Sequence, residues 1–268
     1  CDILNGSFVE ISIIDDGVQV NHPDLSTNWN SVVSWDWCGN DADPSPSTSD
    51  DNHGTPVAGI AAAENDDTDG STVQGVAPSA NLHFSSYNKI NGNSYFPTHW
   101  ANATDNASTA VVQNNSWGID YQIDTLKSDI NSNNWTNAYG ISQKFHSTGY
   151  TSNEASANAY ITALDNFQDH GVIVYALSNT SSYTDADFQA ALPELFSQLN
   201  EAWITAVNIE ITGSSGNETY TRKSAPCGST GAYCMGADGY GVSGLKGAQG
   251  STGTVSYTHL TLPTILHV

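Results

Sequence analysis

Alternation is the strongest constraint on this chain. Runs rich in β-branched and aromatic residues near 9–14, 80–86, 110–115, 171–176 and 203–210 read as strands, and segments at 53–63, 153–169 and 184–200 read as helices. Parallel strands need long crossovers, so this order predicts an α/β fold: a parallel β-sheet flanked by helices on both faces. No internal repeat interrupts it. Residues 39–51 and 64–70 read as polar loops, while 91–109 and 119–152 read as longer surface excursions of the kind that border clefts in compact enzymes.

Two short blocks carry chemistry. In Ile11-Ser12-Ile13-Ile14-Asp15-Asp16-Gly17-Val18 a buried strand stops at an acid-acid-Gly turn, which puts Asp15 at the carboxyl end of a strand. Ligands bind at that edge of open parallel sheets, although an ordinary Asp-Gly turn explains the octapeptide about as well. In Asn52-His53-Gly54-Thr55-Pro56-Val57-Ala58-Gly59-Ile60-Ala61-Ala62-Ala63 a histidine opens a small-residue helix able to pack tightly in a core. An imidazole titrating near neutrality, with a carboxylate to orient it, suits general-base work.

With these blocks in place, the chain resembles the subtilases, the subtilisin-like and kexin-like serine endopeptidases. The order of Asp15 before His-Gly-Thr is their pattern. Other blocks agree: His22-Pro23-Asp24-Leu25, Gly75-Val76-Ala77-Pro78, Asn114-Asn115-Ser116-Trp117-Gly118, and the run Gly171 to Asn179. The resemblance covers about residues 8–254. It implies Asp15 and His53 as relay acid and base, Asn179 as the oxyanion donor, and Ser116, Trp117 and Gly118 as the strand that binds substrate, with Trp117 alternatively a packing residue. Leu177-Ser178 stands before Asn179 where the family has Ala-Gly. Ala191-Leu192-Pro193-Glu194 and Ser224-Ala225-Pro226-Cys227-Gly228 look most like secreted bacterial subtilases, autotransporters included. The Asp15-Asp16-Gly17 form resembles the kexin-like branch, which cleaves after basic residues through pocket carboxylates; Asp120, just past Gly118, is the nearest acid, and Tyr121 follows it.

The family pattern then breaks. Its last block is Gly-Thr-Ser opening the nucleophile helix, whereas Gly253-Thr254 is followed here by Val255-Ser256-Tyr257. Valine cannot attack a carbonyl, and a nucleophile slipped to Ser256 would sit about 100° around a helix from the base. The run from Val255 to Thr264 resembles a translated transposase-adaptor sequence used in preparing DNA libraries. The expected division is therefore an incomplete peptidase domain at 1–254, lacking the nucleophile helix, and a non-native tail at 255–268. Loss of that helix is expected to expose apolar surface and leave the fragment marginal.

Composition sets the remaining limits. At 268 residues and 28.4 kDa the chain suits one large domain. Six Lys and Arg against 28 Asp and Glu, a net charge of -22, argue against nucleic acid as a partner and describe a solvated acidic surface. No stretch is long and apolar enough to span a membrane. The resemblance implies a protein or peptide substrate, a monomer, and a secreted or bacterial cell-surface protein, any signal peptide or propeptide being outside the sequence in view. In an exported enzyme Cys227 and Cys234 are placed to form a disulfide, and Cys1 and Cys38 are available to pair. It also implies structural calcium, with Asp24 and Asp69 as ligands, and no organic cofactor; calcium takes six to eight oxygens. Two rival readings stand beside the endopeptidase: a catalytically dead subtilase that binds peptides, and an acidic calcium-dependent adhesive module. The second of these predicts Asp15 and His53 far apart.

Overall fold

The computed structural model describes residues 5–47, 53–64, 73–87, 97–147, 149, 151–245 and 254–257. Its centre is an eight-stranded sheet in the order β2 (Trp35–Asp36), β3 (Asn81–Ser86), β1 (Glu10–Asp15), β4 (Val112–Asn115), β5 (Val172–Ala176), β6 (Trp203–Ser214) and β7 (Asn217–Arg222). β8 (Cys234–Asp238) pairs in parallel with the first half of β6, and only β7, paired with its outer half, runs antiparallel. The five strands expected from sequence are all present and parallel to one another.

Register decides which residues share a face. Ser12, Gln113 and Ile173 are aligned across β1, β4 and β5, so their side chains lie on one side, and Ile13 points to the other. Ile173 joins the larger apolar cluster, with Trp100, Phe145, Tyr160 and Phe167 from α3 (Pro97–Asn106), α5 (Asn137–Ser147) and α6 (Glu154–Gln168). Ile13 joins the smaller one, with Val57, Ala58 and Ala62 from α2 (Gly54–Ala62). Helices therefore cover both faces, as the alternation predicted.

α2 is buried almost all round, which its small residues permit. A Cβ on Gly59 would lie 2.6 Å from Leu245 Cγ, so this helix accepts β9 (Val242–Leu245) only because that position is glycine. α6 begins with a capping box in which Asn153 and Ser156 exchange side-chain to backbone hydrogen bonds.

Two expectations from sequence are corrected. The excursions at 91–109 and 119–152 contain three helices: α3, α4 (Ile123–Asn133) and α5. Ile123, Leu126 and Ile130 recur at helical spacing and are buried, and Pro97 opens α3 with Trp100 one turn on. Their polar outer faces hide that spacing. Conversely, 184–200 is not a helix; it forms turns and two short 3-10 segments, Leu192–Glu194 and Ser197–Asn200. Pro193 removes one backbone donor, and the side chains of Asp187 and Gln189 are bonded to backbone N–H groups of other segments.

Cys227 and Cys234 form the expected disulfide. Cys38 is a buried free thiol whose Sγ lies 3.6 Å from His99 Nδ1, so the pairing with Cys1 is not made; Cys1 itself lies outside the described residues. Thr254–Tyr257 forms β10, antiparallel to β9, so Val255 and Ser256 lie in a strand and not at a helix start. No helix among the described residues is long and apolar enough to cross a membrane.

Candidate active site

β1 delivers its acid to the sheet edge, and α2 starts directly beside it. Asp15, the last residue of β1, lies on the α2 side of the sheet and is 2% exposed. His53 occupies the N-cap position of α2, and its Nδ1 lies 2.9 and 3.1 Å from the two Asp15 carboxylate oxygens. This contact excludes the adhesive-module reading, which required the pair to be apart. The Asp15 charge pushes His53 up to about 9, against the opposing effect of burial. That geometry commits Nδ1 to the carboxylate and leaves Nε2 as the nitrogen available for proton transfer.

Close approach of β1 and α2 depends on Gly54. A Cβ there would meet Gly17 O at 2.5 Å and Asp15 Cβ at 2.9 Å. Gly54→Ala is expected to destabilise the fold by about 1–3 kcal/mol through overpacking and to weaken the Asp15–His53 bond. Denaturant unfolding and the low-field Nδ1 proton resonance of His53 check the two effects; an unchanged resonance would contradict the second.

His53 opens onto a cleft of about 180 Å³ lined by Ser116, Trp117, Gly118, Asp120, Ala176, Leu177, Ser178, Asn179 and Asp187. All three substrate-strand residues expected from sequence are there, and so is Asn179. Ser116–Gly118 continues β4 beyond its last paired residue, Asn115. Trp117 anchors this segment: its ring packs 4.8 Å from Trp100 and 4.9 Å from Tyr87 between centroids, so it both packs and lines the cleft. Asn179 follows β5 and is exposed to the cleft.

One cleft residue was not found from sequence. Asp187 is buried yet reaches the cleft wall: one carboxylate oxygen accepts from Ser178 N at 2.7 Å, and the other faces Gly118, 3.5 Å from where a Cβ would stand. Burial and the neighbouring Asp120 push its carboxyl up to about 7, against the backbone N–H groups that donate to it. Asp120 accepts from Ser178 Oγ. No local pattern in Asp185-Ala186-Asp187 marks this role; it comes from the turn that replaces the expected helix.

Asp24 is buried in the first turn of α1 (Pro23–Ser26), and its backbone carbonyl accepts from Glu64 N. Asp69 lies outside the described residues. Among the described residues no group of three or more His, Cys, Asp or Glu side chains is placed to hold a metal ion.

Known proteins resemble this chain in sequence and in fold. The model of the subtilase family matches residues 6–259. The chain belongs to the subtilase family. It is a family of serine endopeptidases, and its members commonly bind structural calcium. The solved S41 psychrophilic protease superposes on this subtilase with a TM-score of 0.63 at 22% identity, over 95% of this chain and 72% of that one. Sphericase gives 0.63 at 21% over the same shares. At such identities the likeness shows the fold.

Curated relatives match a shorter stretch. Furin-like protease 2 of Drosophila melanogaster is 52% identical over 59 residues, 22% of this chain and 4% of that protein. The dibasic-processing endoprotease of Schizosaccharomyces pombe is 49% identical over 61 residues, 22% of this chain and 9% of that one. Halolysin of Haloferax mediterranei is 50% identical over 60 residues, 22% and 12%. These matches span a small part of the relatives' own length.

Proposed function

We propose that the parent protein is a secreted serine endopeptidase and that this cleft is its catalytic centre. The observation that carries the reading is the His53–Asp15 bond at the mouth of a cleft that also holds Asn179 and the free continuation of β4. In the neutral form that His53 reaches as pH rises toward about 9, Nε2 would take the proton of a serine hydroxyl as its oxygen adds to the scissile carbonyl, then return it to the leaving amine; water would release the acyl group by the same steps. Asp15 holds the required tautomer and stabilises the imidazolium. Asn179 would donate to the oxyanion, an interaction worth about 3 kcal/mol in the transition state. Ser116–Gly118 would pair with the substrate backbone as an added strand.

The serine belongs at position 255, so the chain as written is read as inactive, with 1–254 an incomplete domain and 255–268 foreign to it. A dead subtilase that binds peptides would use the same cleft, and the strand pairing of Thr254–Tyr257 favours considering it. Export is supported by the Cys227–Cys234 disulfide and the acidic composition. Structural calcium through Asp24 and Asp69 is part of the same reading, supported by the family's habit and the burial of Asp24. Peptides are the expected partners, bound by a monomer.

Cleft charge supports a preference for basic side chains. Asp120 and Asp187 converge on it, whereas Lys127, Lys144 and Lys223 are paired with Glu194, Asp129 and Glu210, and Arg222 donates to Ser181 O and Ser224 O. A lysine or arginine of the substrate would neutralise the buried carboxylate, in keeping with the dibasic-processing relative. The test uses the chain as it stands. p-Aminobenzamidine is expected to bind, more tightly as pH rises through about 7 and Asp187 ionises, and Asp187→Asn should weaken it at least tenfold. Equal binding of neutral p-aminobenzamide would reject the basic preference; neither ligand perturbing His53 or Gly118 in NMR spectra would reject the cleft.

A further inference from the structure

The second acid of the Asp15-Asp16 pair has a separate task. Its side chain crosses to the start of α2, where Asp16 Oδ1 accepts from His53 N at 3.1 Å and Gly54 N at 2.9 Å, and Oδ2 lies 3.2 Å from His53 N. These are the first two of the four orphan donors of the helix N-terminus, and an N-cap side chain, which reaches the second and third helical amides, does not serve them. Here the N-cap residue is His53, which makes no side-chain cap because its ring is committed to Asp15. The cap comes instead from a residue 37 positions earlier in the chain. Asp15 in turn accepts from Asp16 N at 2.8 Å, so one dipeptide grips the histidine twice, by ring and by backbone.

Accepting the reading of His53 as the base, we infer that Asp16 is a positioning residue: it fixes the backbone from which the imidazole reaches Asp15 and the cleft. No side chain at position 53 could take over these two bonds, because an N-cap side chain reaches amides further along the helix, and that position must also carry the ring. The location is also unfavourable for an acid: burial and the adjacent Asp15 raise the Asp16 carboxyl to about 7, against the two N–H donors and His53. Among the described residues the ionisable groups acting on Asp16 are Asp15 and His53, and those acting on His53 are Asp15 and Asp16. Asp16 raises His53, the smallest of the named contributions. A carboxylate kept where its charge is disfavoured is the pattern of a functional site.

The test needs no nucleophile and reads the chain as it exists. Asp16→Ala should abolish or broaden the low-field Nδ1 proton of His53 and speed hydrogen exchange of the His53 and Gly54 amides about tenfold. Asp16→Asn, which keeps Oδ1, should restore both, while its lost charge lowers the His53 titration midpoint by about half a pH unit. A folded Asp16→Ala with an unchanged Nδ1 proton and protected amides overturns the inference. Should that variant not fold, Asp16→Ser takes its place, and an unchanged Nδ1 proton with protected His53 and Gly54 amides there overturns the inference instead. Asp15→Asn is the separate control: an unaltered Nδ1 proton and titration there would sink the relay itself, whatever Asp16 does.

Discussion

A fluorophosphonate probe is expected to leave this chain unlabelled and to label a form in which Thr254 is followed by serine and the family's small-residue helix. The gain in kcat for peptide hydrolysis should reach about 10⁶-fold, the size of effect seen when a catalytic serine is removed from a related enzyme. The physical reason has two parts. Val255 has no proton to give and no lone pair to attack with, and the backbone at Thr254–Tyr257 is extended in β10, paired with β9. Val255→Ser alone is therefore expected to stay unlabelled, because a strand residue lacks the orientation a helix start would give it. Labelling of that single variant, or of Ser256 in the original chain, would refute this account. Reading the source gene through its 3′ end decides the same point: valine in the authentic gene would favour the dead subtilase.

The second large effect belongs to Asp15. In the serine-bearing enzyme Asp15→Asn should lower kcat about 10⁴-fold with little change in overall fold, because asparagine stabilises the wrong tautomer and no longer compensates the imidazolium. Asp15 is also the main reason His53 is raised to about 9. In the wild-type chain the folded histidine thus holds its proton at pH values where the unfolded one has lost it. The pair's contribution to stability is complete below about 6.5, the unfolded value, and disappears as pH rises through about 9. Thermal melts should show Asp15→Asn losing more at pH 6 than at pH 10. His53 is 36% exposed, so screening by water makes the effect on stability smaller than the effect on rate. Equal losses at both pH values, or a kcat reduced less than tenfold, would count against the relay.

Local pattern made much of this site legible. The Ile11–Ile14 run ends at an acid because a buried strand ends where polar residues begin, and the small-residue run after His53 forms a helix that only small side chains allow so close to β1 and β9. Asn179 was named from the likeness of the run Gly171 to Asn179 to the family's pattern, and it follows β5. Elsewhere the pattern misled. Residues 184–200 carry helix-forming composition, yet side chains of that segment bond to backbone groups far away in sequence, and Pro193 interrupts it. The helices α4 and α5 were hidden by polar outer faces although their buried positions keep helical spacing.

By itself the sequence placed an acid at the end of a strand, a histidine at the start of a helix, an amide after another strand, and a valine after Gly253-Thr254. These follow from side-chain chemistry and short-range periodicity, which a linear chain carries in full. Only the tertiary structure decided how they meet. Parallel pairing of β1, β4 and β5 sets their carboxyl ends along one edge, and the packing of Gly54 against Gly17 brings the histidine within hydrogen-bond reach of Asp15. The same packing made Asp16 the cap of a helix 37 residues away, and the turn at 184–191 put Asp187 in the cleft wall. Contacts between distant segments depend on register and close approach, which no local run of residues encodes.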